Sequence, residues 1–130
     1  MSYLLPTTQS ESQSPAVLVV PAALQELAEC GDAELVEELI AIFQTDTASR
    51  LITLERALAA GDHHAVRVEA HTIKGGAAQM GANRVADFCR QMELEAQRNP
   101  PAELVRLFAR LLESFDEVCD VIAAQKETAL

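Results

Sequence analysis

The sequence predicts an all-α fold, an antiparallel up-down four-helix bundle with a short additional N-terminal helix, and three observations carry that prediction. Ala, Leu, Val and Glu dominate a chain with 4% aromatic residues, five Gly and five Pro, a composition that favours helices over strands. Apolar residues recur at three- and four-residue spacing along successive segments, the period of a helix with one buried face. Very short turns separate the segments and cannot carry the chain back along a bundle, so consecutive helices are antiparallel neighbours. At 130 residues one domain can bury a core without disulfide or metal staples.

Each element has its own signals. Residues 1–16 read as a flexible arm, because the Ser/Thr/Gln/Pro-rich stretch from Pro6 to Pro15 has too few apolar side chains to offset the entropy of ordering it. Residues 17–126 read as the bundle domain. A short helix starts at Pro21, with Leu24, Leu27 and Ala28 on one side and Gly31 as its stop. Asp32 is placed to cap the next helix, whose stripe is Val36, Ile40, Phe43, Thr47, Leu51, Leu54 and Leu58, up to Gly61. Asp62 caps a further helix with Val66, Ala70, Ile73, Ala77 and Met80 on one face, ended by Gly81. Val85, Phe88, Cys89, Met92 and Ala96 mark the next, which stops before Asn99-Pro100-Pro101. Leu104, Phe108, Leu111, Phe115, Val118 and Ile122 define the last.

Charge and cysteine content narrow the function. The formal net charge of −10 repels nucleic-acid phosphates and anionic lipid heads, which argues against both as partners. Cys30, Cys89 and Cys119 are odd in number and form no CxxC pair, so neither a disulfide framework nor a Cys-rich zinc site is expected. All three read as small core residues of a protein in a reducing cytoplasm. No apolar run approaches a membrane span, and the N-terminus lacks a basic region before Leu4-Leu5.

The chemistry concentrates on the helix after Asp62. At about 100° per residue its apolar stripe centres away from His71, which therefore points outward. His64, Arg67, Val68, Lys74, Gly75 and Ala78 lie within about 60° of His71 on the same wheel. Gly75 and Gly76 occupy the helix interior, each at a cost of about 1 kcal/mol against Ala. A protein approaching closely beside His71 would account for Gly75. Lys74, three residues on, can meet an anionic group carried by the ring. Residues 67–98 hold five basic and four acidic groups, so the strongly negative charge lies elsewhere and spares this segment. His63 and His64 do not form a metal site with His71, since the spacing from 64 to 71 is not that of two ligands on one helical face. Neither a zincin motif nor a phosphate-cradling Walker loop occurs.

The run His71-Thr72-Ile73-Lys74-Gly75-Gly76-Ala77-Ala78-Gln79-Met80-Gly81, continued through Cys89 to Met92-Glu93, resembles the signature of histidine-containing phosphotransfer (HPt) domains. That signature is a His, two residues, Lys-Gly, then a Gly, a downstream Cys and Leu-Glu. Gly76 stands where Ser or Ala is more usual, and Met92 replaces Leu. The resemblance implies that His71 accepts a phosphoryl group, that Lys74 stabilises its charge and that Gly75 leaves room for the partner. It further implies that Glu93 orients the imidazole. His64, Arg67, Val68 and Ala78 complete the expected docking face. The expected partners are response-regulator receiver domains and a hybrid sensor histidine kinase, with phosphoryl passing from a receiver aspartyl phosphate to His71 and on to another receiver. No intrinsic cofactor is expected, the Mg²⁺ of the transfer belonging to the receiver. The chain is then a monomeric phosphocarrier and not a kinase, either free-standing or a segment of a hybrid kinase. The competing expectation is a bundle that binds and sequesters a kinase or receiver without accepting phosphate.

Overall fold

The computed structural model of the chain describes Glu26 and residues 28–98 and 101–129. From residue 33 onward the described residues form four helices and no strand: α1 (Ala33–Ala60), α2 (His63–Gln79), α3 (Asn83–Arg98) and α4 (Pro101–Ala129). The flexible arm and most of the short helix expected from Pro21 lie outside the described residues. Of that region, Glu26, Ala28 and Glu29 are helical, and the turn closes at Gly31, whose φ is +98°.

The helices pack as α1 on α2, α2 on α3, α3 on α4 and α4 back on α1, which closes an antiparallel bundle. Both inner turns are made the same way. Gly61, at φ +70°, donates its N–H to Leu58 O while Asp62 N–H reaches Ala57 O at 3.0 Å. Gly81, at φ +76°, repeats the pattern, its N–H bonding Ala78 O and Ala82 N–H bonding Ala77 O at 2.8 Å. This paired closure satisfies the last helical carbonyls and needs a left-handed residue, which Gly adopts without steric cost. Asp62 then starts α2 by accepting from Ala65 N–H at 3.1 Å. Asp32 differs from expectation: it occupies the position before α1 but makes no side-chain capping bond. Its ψ of 37° falls short of the extended conformation that swings a cap oxygen over the first N–H groups.

The apolar stripes meet in a single core. Leu54, Val66, Ile73, Met92, Leu104 and Leu111 are fully buried, and burying each such side chain stabilises the fold by about 1.5–3 kcal/mol. The Phe43 and Phe115 rings join α1 to α4 edge to face, with centroids 6.3 Å apart. Buried Ser114 satisfies its hydroxyl by donating to Leu111 O at 2.8 Å. Cys89 is buried as expected of a core residue, whereas Cys119 is half-buried and Cys30 is exposed. Cys30 is therefore not core; it belongs to the turn before α1, beyond the reach of the bundle's stripes. No described helix is long and apolar enough to cross a membrane.

Candidate functional site

The core face of α2 is Val66, Ala70, Ile73 and Ala77, which leaves His71 on the opposite face with 71% of its side chain exposed. The α2–α3 turn brings Glu93 beside it. Counting from Ala82 in the turn, His71 lies eleven residues before and Glu93 eleven after, so the antiparallel hairpin sets the two level. His71 Nδ1 lies 3.0 Å from Glu93 Oε1. A carboxylate has no proton to give, so the ring donates from Nδ1–H, and the neutral imidazole keeps a bare lone pair on Nε2.

Lys74 completes the cluster. Its Nζ lies 2.9 Å from Glu93 Oε1 and 3.2 Å from Oε2, so the ammonium beside His71 is also bound to the carboxylate. Glu93 itself is mostly buried. That burial pushes its carboxyl pKa upward, but the hydrogen bonds from Lys74 and His71 outweigh the effect and hold the pKa below its ordinary value. Beneath it, burial first and the Glu93 charge second push the Cys89 thiol up to about 12, so Cys89 stays protonated and inert.

A carboxyl whose pKa is lower folded than unfolded contributes stability that is present above the unfolded pKa and lost as pH falls through the folded one. The Glu93 contribution should accordingly fade below the ordinary Glu value of about 4.3. Urea unfolding followed from about pH 6 to about pH 3 should show a shallower acid loss in Glu93→Gln than in the parent chain. Equal slopes would mean that the ties to Lys74 and His71 contribute nothing to stability.

The remaining expected residues share the exposed side of α2. His64, Arg67, Val68, Gly75 and Ala78 are all exposed. A Cβ added at Gly75 or Gly76 would meet nothing within 4 Å, so no contact inside the described chain requires glycine at either position. Among the described residues no group of three His, Cys, Asp or Glu side chains is arranged to hold a metal ion.

One part of this face escapes sequence reasoning. A groove of about 480 Å³ runs between α1 and α2, with Leu39 and Ile42 on one wall and Thr72, Gly76 and Gln79 on the other, over a floor that includes Ile73. A wheel drawn for α2 alone cannot show which side chains α1 sets beside it. The available signal was Ile42, an apolar residue that falls off the α1 core stripe and is 63% exposed.

Comparison with known proteins agrees with the bundle. The family model described as "Hpt domain" matches residues 38–121, a span that includes His71, Lys74, Gly75 and Glu93. The crystal structure of histidine-containing phosphotransfer protein B (HptB) from Pseudomonas aeruginosa PAO1 is similar, with a TM-score of 0.69 and 28% sequence identity over 83% of this chain and 92% of that chain. No curated protein matches this chain. With the greater part of its length matched by that model and its helices following that fold, the chain belongs to the Hpt domain family.

Proposed function

We propose that this protein is a phosphocarrier of a two-component phosphorelay, in which His71 takes a phosphoryl group from a receiver aspartyl phosphate and passes it to a second receiver. The observation that carries this reading is an imidazole open to solvent whose Nδ1 is tied to Glu93, which directs the other nitrogen outward. In the forward step the Nε2 lone pair attacks phosphorus, the Nε2–P bond forms, and the bond from phosphorus to the aspartyl oxygen breaks to release a receiver carboxylate. The Nδ1 proton stays on the ring. Glu93 faces the positive charge the ring acquires, and Lys74 lends its own charge from its place on Glu93. Reversal onto another receiver aspartate returns the starting ring.

The Mg²⁺ that neutralises the transferring oxygens is assigned to the receiver. Docking would use the exposed face made by His64, Arg67, Val68, Gly75 and Ala78, extended across the groove to Ile42. Apolar side chains near the centre of such a face exclude water on contact.

Mixing the purified protein with a phosphorylated receiver and Mg²⁺ tests the proposal. Label that moves to the bundle and is acid-labile but base-stable, as a phosphoramidate is, supports the carrier. Tight receiver binding without label would replace it with a sequestering bundle.

Gly75 gives a prediction with two opposite signs. Gly75→Ala should stabilise the fold by about 1 kcal/mol, because Ala is the better helix former and its Cβ meets open space. The same methyl should slow transfer from the receiver if the partner's backbone passes there. Denaturant midpoints and transfer rates on one preparation read both effects, and an unchanged rate would remove Gly75 from the docking surface.

A further inference from the structure

The two cations nearest His71 on α2 are not equivalent. Lys74 is bonded to both oxygens of Glu93. Arg67 is exposed, and its guanidinium has no hydrogen bond or ion pair with any described residue. It precedes His71 by four residues, a spacing that brings Cβ atoms to about 5–6 Å on a helix surface. On the α2 wheel Arg67 and Lys74 fall about 40° and about 60° from His71, on the same side. The charged or titratable groups facing the ring are thus His64, Arg67 and Lys74 from α2 and Glu93 from α3.

A phosphoryl group on Nε2 would bring up to two negative charges and three strong acceptor oxygens. Lys74 already spends up to two of its three N–H donors on Glu93, the carboxylate that also holds the ring, which leaves it one for those oxygens. Arg67 gives up nothing to meet them. Its guanidinium presents paired donors that suit the oxygens of a phosphoryl group.

We infer that Arg67 is a direct partner of the phosphoryl oxygens on His71, its guanidinium closing on them beside the one N–H that Lys74 can spare from Glu93. This rests on the reading of His71 as the phospho-acceptor. It shares one role between two cations: Lys74 lends charge in both states from its place on Glu93, and Arg67 engages only the charged product.

The test uses the full chain phosphorylated with phosphoramidate, a small donor that requires no receiver, and follows the ³¹P resonance of the phosphohistidine against pH. A nearby cation favours the dianion, so Arg67→Gln should raise the pH at which the phosphoryl group loses its last proton by about 0.3–0.7 units, as expected for an exposed charge pair. Arg67→Lys, which keeps the charge but not the fork, should recover most of that shift. Titration of Arg67→Gln on the parent curve would overturn the inference, as would an equal shift in Arg67→Gln and Arg67→Lys, which would point to packing instead of charge. A parent chain with no phosphohistidine resonance that disappears in His71→Gln would overturn the underlying reading instead, so the two failures can be told apart.

Discussion

His71→Gln should leave the protein folded and unable to take any acid-labile phosphoryl label. The ring is 71% exposed, and its hydrogen bond with Glu93 is the one polar contact it makes among the described residues. Removing it should therefore cost less than about 1 kcal/mol of stability. Chemistry has no such tolerance, because a carboxamide nitrogen is not a nucleophile at neutral pH. Transfer from a phosphorylated receiver should fall below detection while the urea midpoint and helical circular dichroism stay at their parent values. Label persisting in the variant would place the acceptor on another side chain, with exposed His64 the first to examine.

The converse is expected of Leu111→Ala. Leu111 is fully buried on the core face of α4, and removing its side chain should cost about 2–5 kcal/mol through lost burial and the cavity left behind. Domains of this kind hold only about 5–15 kcal/mol in total, so the urea midpoint should fall steeply with little change in slope. The site should nevertheless work in those molecules that remain folded. α4 packs on α3 and α1 and contributes none of the groups around His71. Label per folded molecule should match the parent, and a deficit larger than the unfolded fraction would show that α4 sets the geometry of the site after all.

The sequence displayed the bundle well because its signals were redundant. Val66, Ala70, Ile73 and Ala77 are buried where the period put them, and Gly61 and Gly81 adopt the left-handed turns their positions suggested. The single-helix wheel also placed His71 on the solvent side. What it could not supply was anything decided between helices. That Lys74 is bonded to Glu93 depends on the register of α3 against α2, and that Ile42 borders the same face depends on how α1 lies alongside. Cys30 and Asp32 fell short for a local reason, since residue type alone says nothing of where a turn places a thiol or what ψ a cap adopts.

The ring and the carboxylate that holds it are 22 residues apart, both inside one helical hairpin whose two arms are measured from a single glycine turn. Closing so short a stretch of chain is entropically cheap, and nothing from α4 enters the immediate shell of the imidazole. Changes of length in the outer portions of the molecule should accordingly leave the pairing of His71 with Glu93 in place, provided the number of residues in that hairpin stays the same.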